Sequence, residues 1–299
     1  LQTEPDYTTY LQIVTKIENA YISQKDYSKA VEIRKHLLDV YPHLLEKYIT
    51  DPNIDSFHRT RAEIDKFKFF AESYNFIGSL QVKSGETEDS ISTYQELTKL
   101  FSQSPFATKS FYTIAEYLSN QSNYTHAIIF YLKSVISSST PLLQFNAVGS
   151  ENREFINIHN HERLTAKQVS QTIEKLYSIL HISTDISITK QWEEAHQLLE
   201  QNDLIHAAVL YNEIEMKSES PFNLLARYMT ALCYYKNGDY YKTQQILSSF
   251  ISNRDLKSYT ITTNDTPQQS FIKTTSFFAI ELLGLSYFNQ GDYFSAEEI

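Results

Sequence analysis

The chain has 299 residues with 26 basic and 36 acidic side chains, a net charge of −10 at neutral pH, which argues against non-specific nucleic-acid binding because that needs a surplus of cations to neutralise phosphates. The single cysteine, Cys233, excludes an intrachain disulfide, and the 6 Gly and 7 Pro supply too little turn material for an all-β fold. No run reaches the roughly 18 consecutive apolar residues of a membrane-spanning helix, so the 22 Tyr and 18 Phe are expected mostly in buried interfaces.

In chain order, "AYISQKDYSKAVEIRKHLLDVYP" (20–42) reads as a helix-turn-helix unit with Tyr21, Asp26, Tyr27 and Ala30 in phase and Pro42 ending the second helix. Residues 43–73 predict a short loop at Asp51-Pro52-Asn53 and then an extended helix. The segment 77–105 repeats the first pattern with Gly78, Gly85 and Ser90. Ser104-Pro105 then starts a new helix, since Pro at the first helical position loses no hydrogen bond. The segment 114–135 carries Ala115, Tyr124 and Ala127 in the same phase.

Residues 137–163 predict the largest loop. Residues 164–181 follow as a helix with Val169, Ile173, Leu176 and Leu180 on one face. The pattern returns at 193–214 with Ala195, Asp203 and Ala207, and again at "TALCYYKNGDYYKT" (230–243), after a start at Ser220-Pro221. A polar loop at 252–266 leads to a start at Thr266-Pro267. The last copy is "LGLSYFNQGDYFSA" (283–296), with Phe277, Ile280, Leu283, Leu285 and Tyr287 at helical spacing before its turn.

The two best copies align on Gly238-Asp239-Tyr240 and Gly291-Asp292-Tyr293, with Ala231 and Gly284 seven residues upstream of the glycines. Each feature has a mechanical reason. The Gly takes the left-handed conformation that closes a helix. The Asp caps the next helix. The small upstream residue lets two helices approach closely. Recurrence of such a unit is the signature of a helical-repeat architecture. The slots downstream of the turns, Ser90 to Ala127 and Ala207 to Thr243, lie 37 and 36 residues apart. Longer intervals of 60, 80 and 53 residues separate the other slots and hold the irregular segments.

A small residue, an aromatic three later, Gly-x-Tyr and then Ala resemble the tetratricopeptide repeat family. "LGLSYFNQGDYFSA" follows that pattern closely, and "TALCYYKNGDYYKT" departs from it with Thr243 in the Ala slot. The resemblance implies an all-α fold: an α-solenoid of helix-turn-helix repeats wound as a right-handed superhelix, with irregular insertions. It divides the chain into N-terminal repeats at 1–136, an insertion at 137–163 and C-terminal repeats at 164–299. A looser similarity of 94–135 to repeats of bacterial envelope proteins, including outer-membrane assembly lipoproteins, favours a periplasmic or envelope-associated home over the cytoplasm. The chain begins with Leu1 and stops within a helical pattern at Ile299, which reads as an excerpt of a longer protein.

Motifs for chemistry are sparse. His159-Asn160-His161-Glu162 is the one cluster of metal-ligand types, but it lacks zinc-protease or zinc-finger spacing. The six glycines form no phosphate-cradling loop. Cys233, within "TALCYY", reads as a small buried hydrophobe, and Trp192 as a packing residue. No catalytic, cofactor-binding or metal residue is assigned, and the chain reads as a non-enzyme.

In tetratricopeptide arrays the first helix of each repeat lines a concave groove. Carried over by resemblance, this puts Leu225, Tyr228, Leu232 and Tyr235 inside, with Phe278, Leu285 and Phe288 from the last repeat. Further back come Lys109, Tyr112 and Glu116, and then Asn75, Ser79 and Lys83, so the groove is apolar at its C-terminal end and polar at its N-terminal end. The groove either holds a protein or peptide partner or is covered by further repeats beyond residue 299. The basic clamp of chaperone-binding members is not found at matching positions. The expected function is a non-catalytic scaffold that binds a partner protein or peptide, with self-association through the aromatic C-terminal repeats as an added expectation. The alternatives are a peptide-sensing regulatory domain coupled to an output domain outside this chain and, further off, a metal-dependent enzyme using residues 159–162.

Overall fold

A computed structural model describes residues 7–49, 56–102, 104–139, 163–183, 185–251, 261–262 and 264–299. Among them are thirteen helices and no strand: α1 (Tyr7–Ser23), α2 (Tyr27–Ile49), α3 (Ser56–Ser84), α4 (Thr87–Leu100), α5 (Pro105–Asn120), α6 (Tyr124–Ser139), α7 (Ala166–Ile179), α8 (Ile186–Glu200), α9 (Leu204–Lys217), α10 (Phe222–Lys236), α11 (Tyr240–Ile251), α12 (Pro267–Gln290) and α13 (Tyr293–Glu298). The fold is an all-α helical-repeat solenoid. The loop at 51–53, the cluster at 159–162, most of the 137–163 insertion and residues 252–260 lie outside the described residues.

Six hairpins share one turn. Lys25, Gly85, Ser122, Asn202, Gly238 and Gly291 all adopt left-handed conformations, with φ between 59° and 86°. In each, the next residue donates its N–H to a carbonyl five residues back: Asp26 to Tyr21, Glu86 to Gln81, Asn123 to Leu118, Asp203 to Leu198, Asp239 to Tyr234 and Asp292 to Tyr287, at 2.8–3.0 Å. This closure satisfies carbonyls that the helix end would leave bare. Asp26, Asp239 and Asp292 also accept the backbone N–H three residues on, as expected of caps. Asp203 and Asn123 instead engage the imidazole Nδ1 of His206 and His126, at 2.8 and 2.9 Å.

The close helix approach is equally regular. A Cβ on Gly78 would sit 2.6 Å from the Tyr94 ring, so α3 and α4 touch where only glycine fits. Where the family pattern has Ala, the buried hydroxyls of Ser90 and Thr243 donate to the carbonyls of Gly78 and Ala231, at 3.0 and 3.3 Å. The departure from Ala at these two slots is thus a polar stitch between the helices of one hairpin.

Local signals and packing part company in three places. Pro42 does not end α2, which continues to Ile49. The preceding Tyr41 is buried and stacked on Phe69 of α3 at 4.0 Å, and this contact holds the turn in which the proline forfeits a backbone bond. The Thr266 start has a complete capping box with Gln269. At Pro105 the helix starts as expected, but the buried Ser104 hydroxyl has no partner among the described residues. The third start falls one residue late, at Phe222, with Pro221 in the cap position and no side-chain cap bond.

The chain divides into two compact units, the described residues through Ser110 and those from Phe111 onward. In the first, Ala30, Val31, Ile77 and Leu80 form an apolar cluster. The Arg34 guanidinium pairs with the buried Glu18 carboxylate (Nε–Oε1 2.8 Å) and lies 4.4 Å from the Phe76 ring centre. The second unit holds one continuous core drawn from α5 through α12. Within it α6 is the most enclosed element, packing against α7, α8 and α12 besides its hairpin partner α5.

Candidate functional site

Leu225, Tyr228 and Leu232, expected along an open groove, are at most 1% exposed. They belong to the same apolar cluster as Ile128, Tyr131, Leu132 and Val135 of α6. Burial raises the Tyr228 phenol pKa. These three side chains therefore carry packing and present no ligand surface. The physical reason is that α10 packs against α9, α11 and α12, which leaves these side chains no free face. The inner residues Tyr112 and Glu116 are likewise engaged, by Lys175 of α7, whose Nζ reaches the Tyr112 hydroxyl at 2.9 Å and also the Glu116 carboxylate.

The other expected groove residues lie nearer the surface. Phe278 and Leu285 are partly buried, and Phe288 is 56% exposed. Tyr235 is half-buried and its hydroxyl accepts a 2.7 Å hydrogen bond from Asn289, tying the end of α10 to the end of α12. Its ring meets Tyr240 edge-on at 5.5 Å, and Phe288 meets Tyr293 edge-on at 5.2 Å. Tyr241 and Phe294, next to these turns, are 63% and 72% exposed. The hairpin-turn edge of the last two repeats is thus an aromatic strip.

A polar cluster sits at the C-terminal end of α6. Lys236 donates to the Ser139 carbonyl at 3.4 Å. The fully buried His196 contacts the Tyr211 hydroxyl through Nδ1 at 3.4 Å, while its Nε2 has no bonding partner among the described residues and lies 3.9 Å from Glu200. Burial, helped by the Lys236 and Arg163 charges, pushes the imidazole pKa down to about 3, so the ring is neutral at physiological pH. Burial also drives the Cys233 thiol up to about 12 and the Lys236 amine down to about 8. A thiol held that far above neutrality is a packing group, because the thiolate is the nucleophile.

A separate cleft of about 450 Å³ opens between α9, α10 and α11, lined by Asn212, Glu215, Arg227, Thr230 and Ile246. Its charges satisfy each other, with the Arg227 guanidinium on the Glu215 carboxylate at 2.6 Å. Trp192 is fully buried, edge-on to Tyr211 at 5.4 Å, which fits a packing role. Among the described residues no three His, Cys, Asp or Glu side chains gather as a metal site, and no helix is long and apolar enough to cross a membrane.

The burial of Leu225, Tyr228 and Leu232 is what the repeat pattern missed; residues 228–233 of α10 are buried as an unbroken run, which a single helix face cannot hold.

Two segments match family models described as tetratricopeptide repeat: residues 71–103, from within α3 to just past α4, and residues 225–254, covering α10 and α11. No curated protein matches the chain.

Proposed function

We propose that this chain, a tetratricopeptide-repeat protein, is a non-catalytic module that holds a partner protein along the aromatic edge of its last two repeats. Repeats of this family commonly serve protein–protein interaction and are generally non-catalytic. The observation that carries the proposal is the strip formed by Tyr235, Tyr240, Tyr241, Phe288, Tyr293 and Phe294, in which Tyr241, Phe288, Tyr293 and Phe294 are each more than half exposed. Aromatic side chains are the commonest anchors of protein interfaces, because they bury large area at low entropic cost. Clustered exposure of this kind marks interaction sites rather than ordinary surface. Tyr235 and Phe288 remain part of the proposed site, while the buried Leu225, Tyr228 and Leu232 do not.

The test is affinity capture from the source organism with the chain and with a Tyr241→Ser/Phe288→Ser/Phe294→Ser variant. The three positions are exposed, so circular dichroism and Tm should match the parent. A protein captured by the parent and lost by the variant is the expected result. Equal capture by both, or capture by neither, removes the aromatic edge as the binding surface.

A further inference from the structure

α9 departs from a rule that α2 and α4 keep. The second helices of the hairpins share one register, counted from the left-handed turn residues Lys25, Gly85, Ser122 and Asn202. The third, seventh, tenth and fourteenth residues after the turn lie along one face, because steps of three and four return to the same side of a helix. In α2 they are Ser28, Glu32, Lys35 and Asp39, and in α4 Glu88, Ser92, Gln95 and Lys99; all are polar and exposed. α11 keeps Gln245 and Ser248 in the row, behind Tyr241 of the aromatic edge. In α6 the last three are Ile129, Leu132 and Ile136, and all three are buried, in a helix packed against α7, α8 and α12. In α9 they are Ile205, Val209, Asn212 and Met216. This row has the chemistry of a face with another helix on it, yet it lies open: Ile205 and Val209 are half exposed and Met216 is 78% exposed. Single exposed aliphatic residues are ordinary, whereas three in one row mark an interaction surface.

The charges beside the row decide what fits it. Asp203 and His206 flank its start and Glu213 and Lys217 its end, all on the same side of α9. Each pair is closed within the helix, His206 Nδ1 on Asp203 at 2.8 Å and Lys217 Nζ on Glu213 at 3.4 Å. A second α9, turned end for end about a two-fold axis near residues 210 and 211, sets its Lys217 beside Asp203 and its Glu213 beside His206. Opposite signs therefore meet at both ends, and the helix dipoles oppose as well. A parallel pair would instead bring the charged side against the other flank of α9, where Glu215 is already taken by Arg227 at 2.6 Å. In the antiparallel pair Ile205 meets Met216 of the other copy, and Val209 meets its Asn212. Methionine packs adaptably, and one Asn within an apolar seam fixes how two helices align.

We infer that the open row of α9 is a two-fold interface between copies of this chain, with the two α9 helices antiparallel and centred on Val209 and Asn212. The same patch serves both copies, as a two-fold interface requires. A seam one helix long is small beside the roughly 800 Å² per partner of a standard interface, so the pairing is a concentration-dependent equilibrium. It does not rest on the aromatic edge, whose residues belong to other helices.

The test is sedimentation equilibrium of the full chain over a wide concentration range, with Val209→Glu/Met216→Glu for comparison. The parent should approach twice the chain mass, and the variant should dimerise about tenfold more weakly or worse. Both positions are exposed, so its circular dichroism should match the parent. Cysteines then read the register. Asn212→Cys should form a disulfide-linked dimer on mild oxidation, because residue 212 of each copy lies near the axis. Ile205→Cys alone should not, its two copies lying about 16 Å apart along the helices, whereas a mixture of Ile205→Cys and Met216→Cys should. The parent, whose one cysteine is the buried Cys233, should stay unlinked. A parent that is monomeric at every concentration, a Glu variant that pairs as well as the parent, or self-linking of Ile205→Cys overturns the inference. A dimer lost with Tyr241→Ser/Phe288→Ser/Phe294→Ser moves the contact to the aromatic edge and overturns it too.

Discussion

Gly78 and Gly284 occupy the same place in their hairpins, seven residues before the turn glycine, yet alanine should act on them with opposite sign. At Gly284 the nearest atom to a new Cβ is the Ala296 carbonyl oxygen at 3.9 Å, an ordinary contact. Alanine there gains the helix propensity that glycine lacks, about 1 kcal/mol, without opposition. At Gly78 the new Cβ would lie 2.6 and 2.8 Å from Cε1 and Cζ of Tyr94, whose ring is buried. Overpacking of that kind costs about 1–3 kcal/mol, so the propensity gain is cancelled or exceeded and the net effect is a loss of up to about 2 kcal/mol. Thermal unfolding followed by circular dichroism separates the two. Each kcal/mol corresponds to about 2–8 °C for units of this size, so Gly284→Ala should raise the melting temperature and Gly78→Ala should lower it or leave it flat. In a Tyr94→Ala background the Gly78→Ala penalty should vanish, because the clash is with that ring. A rise in Tm for Gly78→Ala equal to that for Gly284→Ala would refute the close-approach reasoning.

His196 should make the second unit acid-sensitive. Its folded pKa of about 3 lies below the ordinary 6.5, so as pH falls below 6.5 the unfolded state takes up a proton that the folded state refuses. Stability then drops by roughly 1.4 kcal/mol per pH unit until the folded pKa is reached, and is unaffected above 6.5. Replacing His196 with Gln should flatten that slope, whereas parallel Tm–pH curves for parent and variant would sink the idea. Lys25 holds the left-handed turn conformation (φ 60°) that glycine fills in three other hairpins. Lys25→Gly should therefore stabilise the first unit by about 1 kcal/mol, measured as a shift in urea midpoint; a destabilised variant would count against strain at that turn.

The six hairpins were legible in the sequence because everything that makes them is local. A left-handed turn residue, a capping carboxylate and a small residue one helix back all act within some twenty positions, and Gly85, Asp239 and Gly284 show it without knowledge of the rest of the chain. Pro42 misled because the stacking of Tyr41 on Phe69 is made by a helix that begins beyond it. Leu225, Tyr228 and Leu232 misled in a subtler way. Their helical phase puts them along one side of α10, but phase says nothing of what packs on that side. One of the helices packed on α10 is α12, which belongs to a later hairpin and which no pattern local to α10 announces.

The enclosure of α6 also sets an order of events during synthesis. Repeat stacks ordinarily consolidate neighbour by neighbour, each unit supported by the one just made. Here Thr125 meets Asp265 across 140 residues of chain, so the seat of α6 is completed only when α12 has been translated. Until then a helix with ten of its sixteen residues meant for burial waits unsheltered on the nascent chain, the circumstance in which chaperone dependence and aggregation arise. The second unit therefore gives up the fast, local assembly natural to a solenoid and acquires the late, all-at-once closure of a high-contact-order domain.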